Sequence, residues 1–194
     1  MRIGLDFDNT LAVLDHGLAR AAAERGIVAP DFTGGRRALY DLVRRLPDAD
    51  AEWRRIEGRA MGVLMDLAVL ADGAARFLAR CRDTATSVFV LVHRPPMAAF
   101  DPARVDLHRA ALDWMEDHGL FAAEGLGIAR GQVSFVDTRR AKLDRVVALR
   151  LTHFVDTQDE AFREPFFPAG VERRLIGAGS GWQELAAELF RDRN

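Results

Sequence analysis

"GLDFDNTL", residues 4–11, places two aspartates one residue apart at the end of the first apolar run. Ile3, Leu5 and Phe7 give a short β-prone stretch, which predicts a strand from Arg2 to Phe7 with Asp6 and Asp8 where it ends. In an open α/β sheet that edge is where ligands bind. A plainer reading also stands: Asp8-Asn9-Thr10 is a turn whose side chains hydrogen-bond their own backbone.

Further along, strand-like runs recur at Ser87 to His93, Val133 to Val136 and Thr152 to Asp156, with a weaker one at Val171 to Ile176. Helical patterns separate them. Asp101-Pro102 predicts a helix start, Leu107, Ala111, Leu112 and Met115 supply its stripe, and Gly119 ends it. Ser180 and Gln183 form a capping-box pair before Trp182, Leu185, Leu189 and Phe190. Strands alternating with helices predict an α/β fold, a doubly wound, Rossmann-like parallel sheet. The interval from the first strand to the second is too long for one crossover helix. It is helical and arginine-rich, and it reads as an inserted cap. The expected organisation is a core of residues 1–11 and 87–194 with a helical cap at 12–86. Its arginines form either a solvated face or the substrate-facing side of a lid.

With 194 residues, 49% hydrophobic and 29% charged, the chain can bury a real core and is not expected to be disordered. A formal charge of −2 argues against a nucleic-acid partner. No apolar run approaches the roughly 20 residues that span a bilayer. Asp6 and Asp8 interrupt what would be the apolar region of a signal peptide, and the single cysteine, Cys81, excludes an internal disulfide. A cytoplasmic protein is the expectation. Oligomeric state is not legible.

Carboxylates at strand ends can bind Mg2+ through oxygen, attack a phosphoryl group and move a proton. Asp156 ends its strand much as Asp6 does. Lys142 stands out for another reason: 26 of the 27 basic residues are arginine, and it is the only lysine. It follows the Val133 to Val136 strand, in the first turn of a helix carrying Leu143, Val146 and Val147. A compact ammonium offsets charge on a carboxylate and a phosphoryl oxygen without the guanidinium's planar bulk.

"GLDFDNTLA" resembles the first motif of the haloacid dehalogenase superfamily, Asp-x-Asp-x-Thr, with Asp6, Asp8 and Thr10 in the matching places. "VFVLVHRPP" (residues 88–96) sits where the second motif belongs, "RRAKLDRV" (139–146) supplies the lysine of the third, and "HFVDTQDEAF" (153–162) the acid of the fourth. Within the superfamily the chain looks most like small bacterial hydrolase-like proteins that begin "IGIDFDNT", a likeness that "VDLHRAALDWMEDHGLF" (105–121) extends. The resemblance implies a Mg2+-dependent phosphatase acting through an aspartyl-phosphate on a small phosphorylated metabolite, a sugar phosphate among the candidates. It implies catalytic roles for Asp6, Asp8 and Lys142, a place for Thr10 at the phosphate, and a metal at Asp6, the Asp8 carbonyl and Asp156; read from the residues themselves, His93 donating from a neighbouring position and Arg94 clamping bidentately are further candidates for phosphate contact. Two positions depart from the pattern. Val92 falls where the family offers a hydroxyl, and Thr157 where relatives carry a second acid, a role left open to Asp159 or Glu160. These departures support an alternative, a catalytically impaired binding or regulatory protein.

Overall fold

A computed structural model describes residues 1–100, 104–177 and 181–191. In chain order its elements are β1 (Arg2–Asp6), β2 (Ala12–Val13), α1 (Asp15–Glu24), α2 (Gly35–Val43), α3 (Ala49–Met61), β3 (Val69–Leu70), α4 (Ala74–Asp83) and β4 (Ser87–His93). They continue with α5 (Leu107–Asp117), β5 (Val133–Val136), α6 (Arg139–Ala148), β6 (His153–Asp156), α7 (Glu160–Arg163), β7 (Glu172–Leu175) and α8 (Gly181–Leu189). The chain divides into two compact units, one of residues 1–12, 70–94 and 116–194 and one of residues 13–69 and 95–115.

The first unit is built on a five-stranded parallel sheet in the order β5-β4-β1-β6-β7. β1 lies at its centre, and Ile3, Leu5 and Asp6 are buried, the signature of a strand covered on both faces. β4 and β5 match their predicted limits, β6 starts one residue late and β7 is one residue shorter at each end. β1 stops at Asp6 because the Phe7 carbonyl accepts from the Thr10, Leu11 and Ala12 N–H groups, which turns the chain. Gly4 has no room for a side chain, since a Cβ there would stand 2.3 Å from Leu151 Cδ1.

One face of the sheet carries Phe89, Leu91, Leu143, Val146, Leu151, Phe154, Phe162 and Phe167 in a single buried cluster with α6. Elsewhere in this unit Phe77 of α4 meets Trp182 of α8, ring centroids 5.1 Å apart. Cys81 is buried on α4, and desolvation pushes its thiol up to about 12, so it behaves as a small apolar residue. The strand register sets the carboxyl ends of the three inner strands side by side. Asp6 pairs with Leu91 of β4, and Leu5 with Val155 of β6, which makes Asp6 and Asp156 neighbours.

The second unit is helical. α1 packs on α3 through Gly17, whose missing side chain leaves room for Ala60. Many of its charges pair with one another. Glu24 pairs with Arg20 and Arg59, Glu52 with Arg25 and Arg55, and Arg36 with Glu57. These partly solvated pairs each contribute about 0–1 kcal/mol, the behaviour of a solvated face. α5 begins later than the sequence suggests: the Asp106 carboxylate accepts from the His108 and Arg109 N–H groups and caps the helix. Asp101 and Pro102 lie outside the described residues, as does Ser180 before α8. β2 and β3 pair with each other where the chain passes between units. At two residues each they are too short to leave a pattern in the sequence. Among the described residues, no helix is long and apolar enough to cross a membrane.

Candidate active site

Three buried charges occupy the carboxyl edge of the sheet. Lys142 Nζ donates to Asp6 Oδ1 at 2.6 Å and to Asp156 Oδ2 at 2.9 Å, and all three residues are more than nine-tenths buried. The lysine arrives there because α6 starts directly after β5. Thr138 Oγ1 accepts from Ala141 N at 3.1 Å as the helix cap, and the first turn then carries Lys142 over the ends of β1 and β6. The remaining carboxylate oxygens are also engaged. Asp6 Oδ2 accepts from the Thr10 hydroxyl at 3.0 Å and Asp156 Oδ1 from the Gln158 N–H at 2.9 Å.

The electrostatics follow from burial and count. Desolvation pushes the Asp6 carboxyl up to about 7 against the downward pull of Lys142, and Asp156 adds like-charge repulsion. Burial opposes the charge of Lys142, but Asp6 and Asp156 outweigh it and hold its pKa above that of an ordinary lysine. Two carboxylates therefore share one ammonium in a space that excludes water. That excess of hard oxygen donors fits a divalent cation such as Mg2+, which takes one or two protein carboxylates and keeps waters for the rest. Among the described residues no cluster of three or more His, Cys, Asp or Glu side chains forms such a site. A metal here would rest on Asp6, Asp156 and the Asp8 carbonyl.

Asp8 has a partner that its sequence does not reveal. Arg94, with no exposed surface, donates through Nε to both Asp8 oxygens at 3.1 and 2.9 Å, and its Nη2 donates to Oδ1 as well. The guanidinium lies over the Phe7 ring, 5.1 Å from its centroid. Asn9 takes φ = 60°, a left-handed conformation that Asn tolerates well, and completes the turn carrying Asp8. Turn and carboxylate pair thus coexist in one short segment.

Strand alternation revises the second motif. Asp6 is in register with Leu91, which packs in the cluster covered by α6, so His93 faces that same side and Val92 faces the other. His93, half-buried, and not Val92, stands toward Asp6 and Lys142. Burial lowers the His93 pKa, and the charge of Lys142 lowers it further. The Asp137 backbone pulls the other way without reversing that direction.

The fourth motif is also rearranged. Thr157 stands within hydrogen-bonding distance of Thr10 through both hydroxyls, 3.3 Å apart, and it donates to the Asn9 carbonyl. It ties the loop after β6 to the loop after β1. Asp159 pairs with Arg163, four residues on, and Glu160 is exposed. The structure brings neither to Asp6 and Asp156. Gln158 and Thr138, which the sequence reading did not single out, hold the acid and the lysine through backbone bonds. A cap threonine ahead of Lys142 was visible in the text; the backbone donor of Gln158 was not.

No protein-family model and no curated protein matches the sequence. Solved structures do. The chain is similar to a hydrolase from Streptococcus pneumoniae TIGR4 at 11% identity and a TM-score of 0.50, over 95% of this chain and 96% of that one. It is similar to a haloacid dehalogenase-like family hydrolase from Xanthomonas campestris at 14% identity and a TM-score of 0.51, over 100% and 94%. A third, a HAD-superfamily hydrolase of subfamily IA from Geobacter sulfurreducens PCA, shares 15% identity at a TM-score of 0.50, over 97% and 95%. The sheet order, the parallel strands and these likenesses together give the chain the fold of the haloacid dehalogenase-like hydrolases.

Proposed function

We propose that the chain is a Mg2+-dependent phosphatase that hydrolyses a small phosphorylated metabolite through an aspartyl-phosphate on Asp6. The observation that carries this reading is the position of Lys142: the only lysine of the chain bridges Asp6 and Asp156 at the edge where this fold binds ligands. Asp6 attacks phosphorus, and Thr10 orients it by donating to the oxygen that Lys142 does not hold. Lys142 offsets the charge that gathers on the reacting oxygens. Bound Mg2+ would supply further positive charge beside the phosphoryl oxygens, held by Asp6, Asp156 and the Asp8 carbonyl. Asp8 and His93 are the titratable groups left for moving the proton. The helical unit takes the part of the cap and selects the substrate, for which a sugar phosphate is one candidate. The expected partner is this small molecule, in the cytoplasm, with neither nucleic acid nor membrane involved.

A second reading is favoured by the engagement of Asp8 with Arg94 and of Thr157 with Thr10, which leaves the first and fourth motifs partly occupied. On that reading the site binds metal and phosphate without turnover. One experiment separates the two. With Mg2+, a panel of phosphorylated metabolites and aryl phosphates should show turnover that Asp6→Asn eliminates, and Asp156→Ala should abolish the thermal shift that Mg2+ produces. Silence of the wild-type protein across the panel, with the Mg2+ shift intact, would select the binding protein.

A further inference from the structure

On the phosphatase reading, on which this inference rests, Asp8 trades protons with the departing and attacking oxygens, and such a group works only when it is held within reach of them. The turn after β1 fixes the Asp8 backbone: the Phe7 carbonyl accepts from Thr10, Leu11 and Ala12, and the Asn9 N–H donates to the Ala12 carbonyl at 2.7 Å. Those bonds do not touch the carboxylate. Arg94 does, and it does so from a firmly held place. It directly follows β4, and its N–H donates to the Val136 carbonyl at 3.0 Å, which carries the β4-β5 ladder one residue further. Pro95 after it disfavours a helical turn of its backbone. The guanidinium lies over the Phe7 ring, and its fork meets Asp8 three times: Nε donates to both oxygens and Nη2 to Oδ1, so Oδ1 takes two bonds and Oδ2 one. A carboxylate offers about four acceptor positions, so this clamp sets the plane of the group and leaves Oδ2 able to carry a proton. With no exposed surface and its fork turned to Asp8, Arg94 differs from an arginine that clamps a substrate phosphate.

We infer that Arg94 is a positioning residue, which orients the Asp8 carboxylate for proton transfer and does not contact the phosphoryl group. In the first half-reaction an Asp6 oxygen bonds to phosphorus, the bond from phosphorus to the alcohol oxygen breaks, and that oxygen takes a proton from Asp8 Oδ2. The alcohol leaves. In the second half-reaction water bonds to phosphorus through oxygen and gives a proton back to Oδ2. The bond between phosphorus and Asp6 breaks, its electron pair returns to the Asp6 carboxylate, and hydrogen phosphate departs. Arg94 gives up no proton in either step, because a guanidinium stays charged in a protein. Its part is to keep Asp8 in one orientation through both.

The test uses the full chain with Mg2+ and two esters, phenyl phosphate, whose leaving oxygen needs a proton, and p-nitrophenyl phosphate, whose leaving oxygen does not. Rates are taken per folded molecule, from circular dichroism of the same samples. In Arg94→Lys, which keeps a cation but not the fork, kcat/KM on phenyl phosphate should fall about a hundredfold, the size of a misplacement of about 1 Å, and the loss on p-nitrophenyl phosphate should be at least about tenfold smaller. Arg94→Met and Asp8→Asn should show the same inequality between the esters. Arg94→Lys added to Asp8→Asn should bring no further loss on either ester, and inorganic phosphate should inhibit Arg94→Lys as well as it inhibits the wild type. Equal losses on the two esters in Arg94→Lys, or a further loss when it is added to Asp8→Asn, would overturn the positioning role and leave the phosphatase reading standing on the wild-type turnover. Inhibition by phosphate that weakens about tenfold or more in Arg94→Lys would make Arg94 a phosphate ligand and overturn the role as well. A wild-type protein that hydrolyses neither ester and takes no phosphate on Asp6 would overturn the phosphatase reading itself, and the Arg94 assignment with it.

Discussion

Lys142→Met should remove turnover by about a hundred- to a thousandfold, the usual size of losing one preorganised charge at a reacting oxygen. It should also lower stability in the absence of metal by about 3–5 kcal/mol, the cost of breaking a buried ion pair from one side. Both effects have one origin. Asp6 and Asp156 each give one oxygen to the ammonium and are almost fully buried, so its removal leaves two like charges facing each other without solvent. The protein can relieve this by protonating one of them, which Asp6 is already close to doing. The stability loss should therefore shrink in acid. Lys142→Arg keeps the charge but not the shape, and should recover stability more than activity. Denaturant midpoints and steady-state rates on the same samples provide the check. A Lys142→Met protein as stable as the wild type would mean that the two carboxylates are solvated.

The second large effect concerns Arg94. Arg94→Met retains most of the apolar stem and removes the guanidinium, leaving the Asp8 carboxylate without its bidentate partner. The expected cost is about 3–5 kcal/mol, with a similar loss for Asp8→Asn because a wholly buried guanidinium then lacks its anion. The double variant should cost well under the sum, since the second change removes the charge that the first left unpaired. A double-mutant cycle built from unfolding free energies measures the difference, and additivity to within about 0.5 kcal/mol would contradict a direct coupling.

The parts of the fold that were legible in the sequence are those where one physical demand dominates. β1, β4 and β6 are covered on both faces, so they read as continuous apolar runs ending in a polar residue at the ligand edge. Lys142 was legible through contrast, a lone lysine among arginines. What the text hid depends on register or on distant pairing. Counting positions puts Val92 in the second motif, but the side of the sheet that a residue faces is set by its partner strand, and the pairing of Asp6 with Leu91 gives that place to His93. Arg94 meets Asp8 across 86 positions of sequence, and no local pattern marks such a pair. Asp159 and Glu160 are near Asp156 in sequence, yet the turn into α7 leaves Asp159 on Arg163 and Glu160 in solvent. For α5, an aspartate followed by proline suggested the start, whereas Asp106 has the oxygen that reaches the first turn.

The most direct measurement is a crystal structure of the wild-type protein grown with Mg2+ and aluminium fluoride, a mimic of the phosphoryl group in flight. The expected result is aluminium within bonding distance of an Asp6 oxygen, Lys142 donating to a fluoride, and Mg2+ coordinated by Asp6, Asp156 and the Asp8 carbonyl. An anion and a metal bound away from Asp6, with Lys142 still closed on both carboxylates, would contradict Asp6 as the nucleophile.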